Sequence, residues 1–184
     1  CVAAGRGHLE VVKLLLENRA DKNKTTQHGC TPLFEAASSG RLEVVRLLLQ
    51  WDADKEKAAA DGSTPLKAAA GGRHVEVVRV LLQAGADRDK PSAHGGTPLY
   101  TAASRGYLEV VRLLLQEGAD KDKPTPDGRT PLWTAAMQGR FDVVKLLLEE
   151  GADHHEAPSW GDKPAIVARQ NGHLQVAKLF RKAH

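Results

Sequence analysis

The tripeptide Thr-Pro-Leu stands at residues 31, 64, 97 and 130, a constant step of 33, and Lys163-Pro164-Ala165 falls one further step along. A fixed period of this size means a stack of like supersecondary units, none of which can bury its apolar face alone. Run backwards, the same frame brings the stretch from Ala3 into register as a unit whose first helix is cut short. The spacing predicts a single array over residues 1–184: a partial unit at 1–24, full units at 25–57, 58–90, 91–123 and 124–156, and a degenerate terminal capping unit at 157–184. An opening at Cys1, inside a pattern seen whole further along, is what a piece of a longer polypeptide would show.

The residues of each unit dictate its geometry. A threonine ahead of proline predicts a helix start, because the hydroxyl caps free amides and the proline ring takes the first helical position, where no hydrogen bond is lost. The short helix then carries paired alanines, such as Ala36-Ala37 and Ala135-Ala136, small enough for neighbouring helices to approach closely. It ends near Gly40, Gly106, Gly139 or Gly172. A second helix follows at once. In the stretch from Arg41 to Gln50, Leu42, Val45 and Leu49 recur at helical spacing as the predicted buried stripe, with Glu43 and Arg46 outside as an i, i+3 pair. Gly-Ala-Asp at 85–87, 118–120 and 151–153 ends that helix, glycine supplying left-handed backbone. Polar turns containing Asp61-Gly62, Gly95-Gly96 and Asp127-Gly128 complete each unit as a hairpin-like tip. The alternating charges at 54–57, 87–90 and 120–123 read as solvated turns.

This unit resembles the ankyrin repeat in its period, its Thr-Pro-Leu opening, its Ala-Ala pair and its closing Gly-Ala-Asp, and the resemblance covers almost the whole chain. It implies an all-α solenoid of stacked helix-turn-helix units with β-hairpin-like tips. It also implies a non-catalytic scaffold or adaptor that binds a partner protein through the concave face of the first helices and through the tips. Two other readings remain: a structural subunit or spacer of a large assembly, held through its convex helices and ends, and the targeting arm of an enzyme whose catalytic domain lies outside these residues.

The chain departs from that family's pattern at definite places. Phe34, Lys67, Tyr100, Trp133 and Ile166 stand where the family's opening tetrapeptide ends in histidine, so the associated hydrogen bonding is replaced or missing, with bulk as one substitute. Arg19 and Asp52 stand where Gly85, Gly118 and Gly151 stand elsewhere, and each must take left-handed backbone or bend the helix exit. In the third unit Gly72-Arg73 shifts the glycine by one place, which predicts a remodelled corner. The terminal unit loses the threonine and ends in Lys178, Arg181 and Lys182, cations suited to a helix C-terminus.

Composition narrows the function classes. The 26 basic and 23 acidic side chains are interspersed and leave a formal charge of +3, which points to neither nucleic acid nor an acidic membrane surface. No apolar run is long enough to cross a bilayer. Cys1 and Cys30 match no metal or redox spacing, and an intracellular, reducing compartment is the expectation. His154-His155-Glu156 is the nearest approach to a metal motif, but adjacent side chains in an extended turn should point apart. His8, His74 and His173 share one register position ahead of the second helix, which marks them as structural. No phosphate-binding glycine loop and no arguable nucleophile–base set is present. No catalytic residue, cofactor, metal or small-molecule substrate is therefore expected.

A residue needed only for stacking should be the same in every copy, so variation at fixed positions marks candidates for contact. On the first helices Trp133 aligns with Met137, and Tyr100 with Ser104, at i, i+4; Arg105 and Gln138 fall in the adjoining row. In the tips, Arg129 replaces Cys30, Ser63 and Gly96, and Trp160 replaces His28, Asp61, His94 and Asp127. Tyr100, Arg105, Arg129, Trp133, Met137, Gln138 and Trp160 are thus the candidate partner-binding residues. The competing reading makes the aromatics packing groups in place of histidine, and folds the last tip back over Trp160. Trp51, at the far end of a second helix, reads as a local packing device.

Overall fold

The computed structural model describes residues 1–181; among them are twelve α-helices and no strand. They fall into two compact units, Cys1–Ala93 and His94–His184. In the first unit α1 (Val2–Arg6), α3 (Pro32–Ser38) and α5 (Pro65–Gly71) form one row, and α2 (Leu9–Glu17), α4 (Leu42–Gln50) and α6 (Val75–Gln83) a second. The second unit follows the same plan, with α7 (Pro98–Arg105), α9 (Pro131–Met137) and α11 (Pro164–Gln170) in the inner row. Its outer row is α8 (Leu108–Gln116), α10 (Phe141–Glu149) and α12 (Leu174–Leu179). Each unit is therefore the stacked helix-turn-helix solenoid that the repeat predicts. No described helix is long and apolar enough to cross a membrane.

The inner helices begin as their sequences require. Thr31, Thr64, Thr97 and Thr130 each accept the amide three residues on, from Phe34, Lys67, Tyr100 and Trp133, at 3.1–3.2 Å. Lys163 gives α11 no such side-chain cap. The leucine after each proline, at 33, 66, 99 and 132, and the alanine pairs at 36–37, 69–70, 102–103 and 135–136 are fully buried. Small residues at these places let successive inner helices meet closely along each row.

Two inter-repeat devices fix the rows. Arg41, His74 and Arg140, each just ahead of an outer helix, reach back to the carbonyls of Gly5, Ser38 and Ser104 at 3.1, 3.0 and 2.9 Å. They pass over Gly7, Gly40 and Gly106, where an added Cβ would lie 2.9, 2.5 and 2.8 Å from them. Those glycines thus serve both left-handed backbone and close approach. The second device is the alternating-charge tract, which is not merely solvated. Asp21, Asp54, Asp87, Asp120 and Asp153 each accept an amide two residues on. Asn23, Glu56 and Asp122 accept the amides of Asp54, Asp87 and Asp153 in the following repeat at 2.8–2.9 Å. Side-chain oxygens, one carboxamide and two carboxylates, here complete a hydrogen-bond ladder between loops that contain no strand.

Several expectations change. The outer-helix stripe in α4 is Val44, Val45 and Leu48, with Leu42 and Leu49 half-buried, because a helix flanked on both sides in a row buries a wider arc than a single seam. Glu43 and Arg46 do lie outside, 3.9 Å apart. The Gly72-Arg73 corner is not remodelled. Gly72 stays at φ −87° while Arg73 takes the left-handed conformation at φ 61°, and His74 still donates to Ala69 as Arg41 donates to Ala36. Trp51 packs little, being 41% exposed; its carbonyl receives Lys22 Nζ at 2.6 Å. Lys178 lies in the last turn of α12, and Lys182 lies outside the described residues.

Arg19 and Asp52 adopt left-handed backbone, at φ 61° and 58°. That conformation brings Cβ towards the following carbonyl, a strain of about 1 kcal/mol for a side-chain-bearing residue. Glycine removes the strain but adds freedom to the unfolded chain, so Asp52→Gly and Arg19→Gly should each raise stability by about 0.5 kcal/mol. Urea denaturation followed by circular dichroism checks this, and a loss of stability in both variants would contradict it.

Candidate functional site

The sequence candidates all lie in the second unit, and the structure draws three of them together. The tip ahead of α9 closes through Thr125, whose amide donates to the Arg129 carbonyl at 3.0 Å and whose hydroxyl accepts the Arg129 amide at 3.1 Å. Thr125 is buried, and its hydroxyl also donates to Asp127 Oδ1. This turn leaves Asp127 Oδ2 2.8 Å from Arg129 Nε, an ion pair in which the buried Nε–H makes no aligned hydrogen bond. Both partners are partly exposed, and the pair itself contributes about 0–1 kcal/mol.

The Arg129 guanidinium lies alongside a pair of indoles, 5.5 Å from the Trp133 ring and 5.1 Å from the Trp160 ring. Those rings meet edge to face, with centroids 5.9 Å apart and planes at 74°. The π-face of each indole carries negative potential, so a cation beside them is favoured; each contact is worth about 1 kcal/mol where partly desolvated. The ring pair adds about the same again.

The two tryptophans divide the work. Trp133 is 3% exposed and its Nε1 donates to the Asp162 carbonyl at 2.8 Å. It packs where the repeat pattern has histidine, and it supplies a polar bond to the neighbouring tip as well as bulk. Trp160 is 58% exposed, so the last tip does not fold back over it. It is nevertheless held: its Nε1 donates to the Asp127 carbonyl at 3.0 Å. In the first unit the corresponding tip carbonyls of His28 and Asp61 receive backbone amides, from Ala60 and Ala93. The indole N–H therefore does at this tip what the main chain does elsewhere, while its ring faces solvent.

The other candidates sit apart from this cluster. Tyr100 is half-buried near the start of α7, and Arg105 is exposed at its end. Met137 is half-buried at the end of α9, with Gln138 exposed as the C-cap residue. At the matching place in the first unit, Lys67 Nζ donates to Ser63 Oγ at 3.2 Å, and that hydroxyl donates to Asp61 Oδ2 at 2.8 Å. The Ser63 amide, before all else, holds the Asp61 carboxyl below the usual aspartate range. This network replaces the missing histidine bond by another route.

Chemistry elsewhere is limited. Burial pushes the Cys30 thiol up, away from the thiolate form that attacks or binds metal. The His154 and His155 rings do not diverge as expected; their centroids are 4.1 Å apart, because the Asp153 carboxylate accepts the His155 amide at 2.7 Å and closes the turn. Among the described residues no group of three or more histidine, cysteine or acidic side chains is placed to hold a metal. Sequence reasoning missed the reach of Arg41, His74 and Arg140 and the ladder through Asn23, Glu56 and Asp122; the signal available was a polar side chain at one register position in most copies.

The family model described as ankyrin repeats (3 copies) matches residues 1–59, 52–125 and 117–184, overlapping stretches that together take in the whole chain. No curated protein matches it.

Proposed function

We propose that this chain, which belongs to the ankyrin-repeat family, is a non-catalytic adaptor that grips a partner protein through the inner helices and tips of its second unit, with Trp160 as the anchor. Ankyrin repeats are generally protein-interaction modules. The observation that carries the finer reading is the state of Trp160: a large apolar ring 58% exposed, yet fixed by a hydrogen bond to Asp127, an edge contact with Trp133 and the Arg129 cation. An anchor ordered before contact loses little conformational entropy on binding, and tryptophan and arginine are the residues most often found at binding hot spots. Trp133 serves beneath them, holding Arg129 and Trp160 in place. Tyr100, Arg105, Met137 and Gln138 extend the same surface along α7 and α9.

Photo-crosslinking tests this. A benzoylphenylalanine at position 160 should capture a discrete partner from cell extract, and the same group in place of Lys145 on α10 should not. Trp160→Ala should weaken binding of the captured partner by about tenfold or more, equivalent to about 1.4 kcal/mol. Capture from position 145 alone would point instead to a structural subunit held by its outer helices.

A further inference from the structure

We infer that the partner presents an extended acidic segment bearing an apolar side chain, the carboxylate going to Arg129 and the apolar group to the Trp160 ring. This rests on the protein-binding reading above and specifies the partner's chemistry. Three observations point to it. First, Arg129 Nε is buried, 2.8 Å from Asp127 Oδ2, and the guanidinium carbon lies 5.5 and 5.1 Å from the Trp133 and Trp160 rings. What the guanidinium fork has left to offer is its terminal edge, a pair of parallel N–H groups suited to a carboxylate.

Second, charge is divided between the two rows of the second unit. The inner helices α7, α9 and α11 contain no aspartate or glutamate, whereas α8 carries Glu109 and α10 carries Asp142 and Glu149. The acids in the inner tips are engaged locally: Asp127 with Thr125 and Arg129, and Asp162 with Gln170 Nε2 at 2.7 Å. Lys163 is exposed and forms no ion pair among the described residues. An acidic segment thus meets no carboxylate from the inner helices of this unit, whereas the outer helices set Glu109, Asp142 and Glu149 among Arg112, Lys145 and Lys178. The inner row of the first unit is less biased, since Glu35 on α3 stands against Arg6 on α1 and Lys67 on α5.

Third, the Trp160 ring is exposed beside Arg129 rather than on another face, so one short segment reaches both. An extended segment sets its residues i and i+2 on one face about 6.6 Å apart, a spacing of the same order as the 5.1 Å between the Arg129 guanidinium and the Trp160 ring.

The test uses the whole chain and synthetic Gly/Ser peptides: one with glutamates around a leucine, one with lysines around a leucine, and one with glutamates alone. The glutamate–leucine peptide should shift the Trp160 indole N–H resonance in a saturable way, with affinity falling as salt is raised. Arg129→Gln should weaken it about tenfold and Lys163→Gln about threefold, with the circular dichroism of both variants unchanged. Equal binding of the lysine–leucine peptide, equal binding of the leucine-free peptide, or unchanged affinity in Arg129→Gln would each overturn the inference. If crosslinking from position 160 succeeds while the acidic peptide fails to bind, the adaptor reading stands and the acidic partner falls; if both fail, both fall.

Discussion

Trp133→Ala is expected to destabilise the second unit by about 3–5 kcal/mol, and Trp133→Phe by about 1–2 kcal/mol. Trp133 is almost wholly buried, and its removal leaves a cavity bounded by the Arg129 and Trp160 side chains that now rest on it. Three losses coincide: transfer of the indole from water, the hydrogen bond to the Asp162 carbonyl, and the platform for the guanidinium. Phenylalanine keeps most of the apolar area but strands that carbonyl, so the difference between the two variants isolates the bulk from the bond. Urea denaturation followed by fluorescence, in a Trp51→Phe background so that Trp160 is the one remaining indole, reads the second unit directly. A loss below about 1 kcal/mol for the alanine variant would mean that the ring packs loosely and is available for contact. Binding adds a second readout: Trp133→Phe should keep Trp160 and Arg129 in place and so retain much of the partner affinity that Trp160→Ala removes.

The contrast between Trp133 and Trp160 shows where a single sequence stops being informative. Thr31, Thr64, Thr97 and Thr130 gave away every inner-helix start that they cap, because capping is a local interaction between residues three apart. The alanine pairs and terminal glycines were legible for the same reason, each being dictated by its own helix. Burial of a ring is not local. Trp133 is covered by residues of the next tip, Asp162 and Trp160, some thirty positions away, and nothing in its own unit says which side they will take. The alternating-charge tracts are opaque on the same ground: their sequence looks the same whether the carboxylate meets water or the amide of Asp87 or Asp153 in the following repeat. The Gly72-Arg73 corner failed differently. Glycine was treated as deciding where the chain turns, but the Ala69 carbonyl and the close fit of Gly72 beneath the His74 ring fix the turn, and Arg73 accepts the strained conformation.

Gly95→Ala should lower the stability of the second unit by about 3 kcal/mol, against about 1 kcal/mol for Gly151→Ala. Both glycines have left-handed backbone, at φ 79° and 73°, so both variants carry the strain of a Cβ in that region. They differ in what the new methyl meets. At Gly151 nothing lies within 4 Å, whereas at Gly95 the Cβ would fall 1.9 Å from Pro126 Cδ. A flexible side chain could swing aside, and at Gly85 none need do so, since the nearest atom, Lys55 Cε, would lie at an ordinary 3.9 Å. Proline cannot, because its ring is closed onto its own main chain, and moving it moves the tip that presents Asp127 and Arg129. The excess of about 2 kcal/mol is thus the penalty for overpacking against a rigid neighbour. Paired denaturation curves measure it, and equal losses in the two variants would show that the tips yield as easily as exposed loops. The same displacement predicts a functional signature: Gly95→Ala, even where folded, should weaken capture from position 160, while Gly151→Ala should leave it unchanged.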